Sequence, residues 1–235
     1  MLNIFSPSPY LLALEPFQTM CDYVAGHTQL RDLSSQGDGH PVLVLPGLGT
    51  SGSATADLRI RLKQLGYAVN DWNQGFNQGP GINFDFWLSL LGTHLQEIHA
   101  VHQRPISIIG WSLGGTYARE LAKLHPELVR QVITLATPFA NPNLTVAEKM
   151  FSGLSGIGWL IDESLLLRLS EAPQVPSTSI YSQTDVVVDW QSCRGDESTG
   201  HRNIEVNGVS HYGMVYHPDV LTAIALLLKG THPDY

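Results

Sequence analysis

The sequence predicts an α/β fold: a mostly parallel, six-stranded sheet with helices on both faces. Short apolar segments alternate along the chain with segments of helical length, which is the pattern of repeated β-α-β units. The apolar segments contain few polar positions, as is typical of strands covered on both faces. The chain has 235 residues, 43% of them hydrophobic and 14% charged, enough for one domain with a sizeable core. We therefore expect a single domain over 1–235.

The individual elements follow from the apolar runs and from the Gly- and Pro-rich breaks between them. The segments predicted as strands are 41–45, 67–72, 106–109, 131–135, 177–181 and 203–206. The segments predicted as helices are 10–25, 53–65, 84–102, 113–124 and 220–229. Between the fourth and fifth strands, at 140–172, Pro and Gly separate two apolar helical pieces, 146–151 and 159–169. We expect a small helical cap there, and the alternative is that these apolar residues belong to the core.

Composition narrows the classes of partner and cofactor. Lys and Arg number 13 against 21 Asp and Glu, and the resulting net charge of −8 disfavours binding to nucleic acid. Cys21 and Cys193 lie in no metal-binding spacing, and two free thiols are favoured over a disulfide. No apolar run reaches about 18 residues, and the first residues do not resemble a signal peptide. We therefore expect no metal, no cofactor, no stable membrane insertion and a cytoplasmic location.

A glycine-flanked serine follows the third predicted strand, in the run Gly110-Trp111-Ser112-Leu113-Gly114. A turn this tight holds the serine in a strained conformation and leaves no room for side chains at the two flanking glycines. The serine hydroxyl would then lie at the N-terminus of the next helix, where free N–H groups favour developing negative charge. The alternative is an ordinary Gly-rich turn in which Ser112 caps the helix.

This G-x-S-x-G run resembles the nucleophile elbow of α/β hydrolases. The segments VLVLPGLGTSGSAT, IIGWSLGGTYARELA, YSQTDVVVDW and GVSHYGMVYHPDV are similar to those of bacterial esterases and lipases of that superfamily, and the resemblance covers nearly all of 39–228. It implies a compact α/β-hydrolase fold and ester hydrolysis by a Ser-Asp-His triad. One departure is Pro46-Gly47, where many relatives have His-Gly.

The resemblance also assigns the site residues. The expected chain order is nucleophile, acid, base, with each residue following a strand, which gives Ser112, Asp185 and His211. Asp189 lies four residues beyond Asp185 in the same loop and is the alternative acid. His217 lies at the start of the last predicted helix, and a helix-cap role explains it. The oxyanion hole would use the backbone N–H groups of Leu48 and Leu113.

These assignments predict a serine hydrolase that cleaves an uncharged, rather apolar ester or lipid-like small molecule. The alternative is an acyltransferase or thioesterase that uses the same triad. A non-catalytic binding module with this fold would be expected to have lost a triad member, and none is missing here.

Overall fold

Six strands form one sheet in the computed structural model, which describes residues 9–28, 37–81, 83–140, 163–198 and 200–230. The strands are β1 (Pro41–Leu45), β2 (Ala68–Asp71), β3 (Ile106–Trp111), β4 (Val129–Leu135), β5 (Ser177–Tyr181) and β6 (His201–Glu205). Their order across the sheet is β2-β1-β3-β4-β5-β6, and every neighbouring pair is parallel. The predicted parallel sheet of six strands is confirmed.

The bounds of β1 and β5 agree with the prediction, and the other strands differ by one or two residues at one or both ends. β3 extends beyond the predicted 106–109 because Gly110 and Trp111 pair with Thr134 and Leu135 of β4. β6 begins two residues before the predicted 203 because His201 pairs with the first residue of β5. Pairing with a neighbouring strand therefore sets these ends, and a single segment of sequence does not reveal it.

Helices cover both faces of the sheet, as predicted. The described helices are α1 (Pro9–Thr28), α2 (Ala56–Gln64), α3 (Phe84–His102), α4 (Leu113–Leu124), α5 (Glu163–Ser170) and α6 (Pro218–Leu228). α2 and α6 pack in one apolar core, and α3, α4 and α5 pack in a second core on the other face. β1 supplies Val42 and Val44 to the first core and Leu43 and Leu45 to the second, which explains its unbroken apolar run.

The predicted helix 53–65 is divided in two. A 3₁₀ helix, Gly52–Thr55, precedes α2, and the hydroxyl of Ser51 accepts a hydrogen bond from the backbone N–H of Ser53. α2 ends as predicted, because Gly66 follows it with φ +96° and its N–H donates to Lys63 O.

The predicted cap lies only partly within the described residues. The piece 146–151 falls outside them, and α5 overlaps the piece 159–169. Leu166 and Leu169 of α5 are buried in the same core as α3 and α4. These two side chains of α5 therefore contribute to the core, and the cap as a whole stays a prediction.

The parallel arrangement brings the predicted site residues to one edge of the sheet. Ser112 follows β3 directly, Leu48 lies in the loop after β1, Asp185 in the loop after β5, and His211 in the loop after β6. Because all strands run in one direction, their carboxyl ends share an edge, where ligands bind in open α/β sheets.

Candidate active site

Ser112 has a strained backbone at the junction of β3 and α4. Its φ is +53° and its ψ is −124°, a conformation that costs a residue with a side chain about 1–3 kcal/mol. A Cβ on Gly110 would overlap the carbonyl oxygen of Gly114, and a Cβ on Gly114 would overlap that of Leu45. Both glycines are therefore required by close packing of the backbone, which makes this turn tighter than an ordinary Gly-rich loop.

A buried acid–base pair lies at the same edge of the sheet. Asp185 Oδ2 and His211 Nδ1 are 2.7 Å apart, and both residues are less than 5% exposed. Asp185 Oδ1 accepts hydrogen bonds from the backbone N–H groups of Val187 and Val188, at 2.8 and 3.0 Å. One carboxylate oxygen is thus held by the backbone while the other orients the imidazole, as the acid of a triad must do.

The two alternative residues have local roles instead. Asp189 accepts a hydrogen bond from the N–H of Gln191 at 3.0 Å and caps a 3₁₀ helix, Trp190–Cys193. His217 Nδ1 accepts from the N–H of Asp219 at 3.2 Å and caps α6. Of the two candidate acids, Asp185 is the one that bonds to an imidazole.

Trp111 links the His211 loop to the elbow. Its indole Nε1 donates to the carbonyl oxygen of His211 at 3.1 Å, and its ring centroid lies 5.7 Å from that of the imidazole. Since Ser112 follows Trp111 directly, the histidine loop is bonded to the residue beside the strained serine. Tyr212, with 42% of its surface exposed, packs edge-on against both Trp111 and His211.

The loop after β1 packs against the elbow. A Cβ on Gly47 would lie 3.2 Å from both Ser112 Cβ and the Trp111 ring, so the loop backbone passes directly beside the serine. Leu48 is the next residue, and its N–H makes no hydrogen bond within the described part of the chain. Leu113 is the first residue of α4, a position whose N–H has no partner within the helix. The structure thus brings both predicted donors close to Ser112.

Asn77 is a residue of this site that the sequence did not reveal. It is fully buried, and its Nδ2 donates to Pro46 O at 3.0 Å while its Oδ1 accepts from the Tyr117 hydroxyl at 3.3 Å and from Gly79 N at 3.1 Å. Its backbone bonds to the same loop on both sides, to Thr50 O at 2.7 Å and from Gly49 N at 2.8 Å. Asn77 therefore fixes the loop that carries Leu48.

A hydrogen-bonded Ser-His-Asp chain lies near the start of β1, at the opposite edge of the sheet. His40 Nε2 lies 2.9 Å from Ser107 Oγ, and its Nδ1 is bonded to Asp38 Oδ1. Ser107 and His40 are both 0% exposed, and Ser107 lies within regular β3. No substrate can reach this serine, so the chain joins β1 and β3 rather than forming an active site.

The described residues contain no group of three or more His, Cys, Asp or Glu placed to hold a metal ion. Among the helices of that same part of the chain, none has the length and apolar character needed to cross a bilayer. Cys21 is exposed, Cys193 is buried, and both are free thiols, as favoured from the sequence.

Comparison with known sequences gives a match over only a short stretch of the chain. No family model matches the chain. A stretch of 59 residues is 41% identical to the biotin biosynthesis bifunctional protein BioHC of Teredinibacter turnerae, covering 25% of this chain and 10% of that protein. The aligned stretch thus spans only a tenth of that relative.

Solved structures match over much more of the chain. Aspergillus fumigatus lipase B has a TM-score of 0.62 at 18% identity, over 84% of this chain and 54% of that one. A monoacylglycerol lipase from Paleococcus ferrophilus also has a TM-score of 0.62, at 15% identity, over 83% and 96%. A thioesterase domain from the curacin biosynthetic pathway has a TM-score of 0.59 at 16% identity, over 83% and 92%. The parallel six-stranded sheet and these neighbours together show that the chain has the α/β-hydrolase fold.

Proposed function

We propose that this protein is a serine hydrolase that cleaves carboxylic esters through an acyl-enzyme on Ser112. The observation that carries the proposal is the buried Asp185–His211 pair at the sheet edge that also holds the strained serine. A serine hydroxyl is a weak nucleophile until a base removes its proton, and an imidazole oriented by a carboxylate is the base this chemistry needs.

In the acylation step, Ser112 Oγ attacks the carbonyl carbon of the ester while His211 accepts the hydroxyl proton. The N–H groups of Leu48 and Leu113 stabilise the negative charge that forms on the carbonyl oxygen. The tetrahedral intermediate then loses the alcohol, which takes its proton from the imidazolium. Asp185 keeps Nδ1 of His211 protonated throughout, so that Nε2 is free to accept and return the proton.

In the deacylation step, a water molecule replaces the alcohol. His211 takes one proton from the water, the hydroxide oxygen bonds to the acyl carbon, and the bond to Ser112 Oγ breaks. The serine recovers its proton from the imidazolium, and the products are a carboxylic acid and the starting enzyme.

An uncharged, rather apolar ester is the substrate class we infer. The half-exposed ring of Tyr212 lies against the imidazole and offers an apolar surface at the reacting centre. The net charge of −8 disfavours anionic substrates. An acyltransferase or thioesterase would form the same acyl-enzyme, and a thioesterase domain is among the proteins of similar fold.

The test uses 4-nitrophenyl esters of increasing acyl length and a fluorophosphonate probe that labels activated serines. Wild type is expected to hydrolyse the esters and to be labelled, and Ser112→Ala to do neither. Ser107→Ala is the matched control, because Ser107 also bonds to a histidine but is fully buried. Labelling that persists in Ser112→Ala, or disappears only in Ser107→Ala, would overturn the proposal. An ester product formed on adding an alcohol would favour acyl transfer.

A further inference from the structure

The helix α1 turns a polar side towards the body of the protein, which is unusual for a helix on a globular core. Four polar residues of α1 recur at positions i, i+3, i+4 and i+7 and therefore share one face. Each has a hydrogen bond to the segment 208–212 around His211: Glu15, Gln18, Thr19 and Asp22. The opposite side exposes apolar side chains, including Phe17 at 70% and Met20 at 66%.

Asp22 makes the shortest of these contacts. It is 4% exposed, and its Oδ2 accepts from both the backbone N–H of Ser210 at 2.9 Å and the Ser210 hydroxyl at 2.6 Å. The Ser210 hydroxyl oxygen in turn accepts from the N–H of Gly213 at 2.9 Å. A Cβ on Gly213 would overlap the Asp22 carboxylate, so the loop passes against this side chain. One buried carboxylate therefore holds the backbone on both sides of His211.

Glu15 contacts the same loop about two helical turns before Asp22. It is 5% exposed, and its Oε1 accepts from the backbone N–H of Tyr212 at 3.3 Å. Burial raises the pKa of Glu15, and the charge of Asp185 acts in the same direction, while hydrogen bonds from the backbone of Tyr212 and His211 oppose it. Glu15 is thus a second buried carboxylate close to the Asp185–His211 pair.

We propose that α1 positions the catalytic imidazole, with Asp22 and Glu15 as positioning residues that act through the backbone of the loop 208–213. This inference rests on the proposed function, because it assigns α1 a role in a reaction that needs His211 as its base. Outside α1, Thr184 Oγ1 donates to Val209 O and Trp111 Nε1 donates to His211 O, so both of these bonds reach carbonyl groups. The acceptors for the N–H groups on either side of His211, those of Ser210 and Tyr212, come from α1.

Loss of the Asp22 carboxylate leaves the N–H and hydroxyl of Ser210 without their buried acceptor, and the loop has to move to find new partners. A displacement of about 1 Å at a reacting group lowers rates by as much as about 100-fold. Because α1 does not form the substrate pocket in this proposal, the loss is expected in kcat, with KM unchanged.

The experiment compares Asp22→Ala and Asp22→Asn with wild type in the full chain. Asp22→Ala is expected to lower kcat and the rate of fluorophosphonate labelling by on the order of 10- to 100-fold. Asp22→Asn is expected to recover part of both, because its amide oxygen can still accept from Ser210. Leu95→Ala, fully buried in α3 on the other face of the sheet, is the control for lost stability and should keep kcat at temperatures where it remains folded.

A pH profile separates positioning from mere destabilisation. The described titratable groups that face the imidazole or its loop are Asp185 from the loop after β5 and Glu15 and Asp22 from α1. Glu15→Gln keeps an oxygen acceptor but removes a carboxyl group whose ionised form stabilises the imidazolium. The apparent pKa in kcat/KM is then expected to fall relative to wild type, which a loss of folding stability alone would not produce.

The outcomes distinguish this inference from the proposed function. If wild type is labelled at Ser112 but Asp22→Ala reacts at the wild-type rate, with the pH profile of Glu15→Gln unchanged, the role of α1 is refuted and the hydrolase proposal stands. If Leu95→Ala loses as much kcat as Asp22→Ala, the loss reflects folding and the inference also fails. If wild type is not labelled at all, the proposed function itself fails.

Discussion

Replacement of Asn77 is the sharpest test of how the oxyanion loop is held. Asn77→Ala removes the donor to Pro46 O and the acceptor for the hydroxyl of Tyr117, and Pro46 and Tyr117 are both buried. A buried polar group that loses its partner costs about 1–3 kcal/mol. Two such groups together would cost about 2–6 kcal/mol. Because the deleted amide leaves room for water, we expect the free energy of unfolding to fall by only about 2–4 kcal/mol.

The effect on activity is expected to come through Leu48. Removing one oxyanion donor lowers kcat by about 10²- to 10³-fold, which sets the upper limit for a loop that moves away from the serine. We expect Asn77→Ala to lower kcat by roughly 10- to 100-fold, because the loop also keeps its backbone bonds to residue 77.

Asn77→Asp sharpens the test because it changes one atom. The carboxylate can still accept from the Tyr117 hydroxyl and from Gly79 N, but it presents an oxygen, not a donor, to Pro46 O. We therefore expect it to be at least as damaging as alanine. The matched control is Asn70→Asp on β2, where the amide donates to Ala68 O at 3.1 Å away from the oxyanion loop.

The assay is steady-state hydrolysis of a 4-nitrophenyl ester together with urea unfolding. Equal kcat values for Asn77→Asp, Asn70→Asp and wild type would refute the claim that Asn77 holds the donor. A lower free energy of unfolding in the Asn77 variants with no fall in kcat would also refute the claim, because Asn77 would then have a purely structural role.

Two further predictions concern the acid of the triad and the buried histidine at the other edge. Asp185→Asn is expected to lower kcat by roughly 10³- to 10⁴-fold, because an amide favours the wrong imidazole tautomer. Asp189→Asn retains a good N-cap and should keep wild-type kcat. Equal losses of kcat in the two variants would contradict the assignment of Asp185 as the acid. Burial lowers the pKa of His40, so as the pH falls through about 6.5 the unfolded chain binds a proton that native His40 does not. The free energy of unfolding should therefore decrease below that pH and, as far as His40 is concerned, stay constant above it. Urea unfolding between about pH 5 and 8 should show a weaker dependence in His40→Gln, and an unchanged dependence would contradict this origin.

The sheet was predictable because its determinants are local. The strands β1, β3 and β4 supply apolar side chains to both cores, as β1 shows with Val42 and Leu43. The glycines at 110 and 114 are local signals as well, since both are forced by packing within a few residues of the elbow or against β1. What the sequence did not fix are the strand ends, which depend on partners elsewhere in the chain.

The sequence favours Asp185 over Asp189 only because Asp185 lies closer to the end of β5. Where each carboxylate points depends on the turn geometry, which directs Asp185 to His211 and Asp189 to the N–H of Gln191. Asn77 was missed for a related reason. It lies in an irregular Gly-rich segment, and its partner Pro46 is 31 residues away, so no spacing indicates the contact.

The role of α1 was hidden by its composition. The segment 10–25 was predicted as a partly apolar helix, and an apolar helix face is ordinarily the buried one. Here Phe17 is exposed while Glu15 and Asp22 are buried, because the two carboxyl groups accept hydrogen bonds from the His211 loop. That loop lies 188 and 197 residues away from them along the chain. A buried carboxylate is stable only when it is paired or hydrogen-bonded, and the sequence of α1 does not contain those partners.

A comparison of Ser112 with Ser107 shows which physical feature separates a candidate nucleophile from a structural serine. Ser107 lies in a regular strand with no exposed surface, and its hydroxyl is within hydrogen-bond distance of both His40 and the amide of Gln131. Ser112 has the same residue types nearby, but a strained backbone lifts it out of the strand at the edge where the loops meet. The strain costs free energy that a purely structural serine would have no reason to retain. Ser112 lies at the carboxyl edge, beside a loop in which the Leu48 N–H bonds to none of the described residues. The loop after β6 holds His211 at the same edge, braced by Trp111 and Asp22. This placement is the strongest physical support for the proposal that Ser112 is the nucleophile.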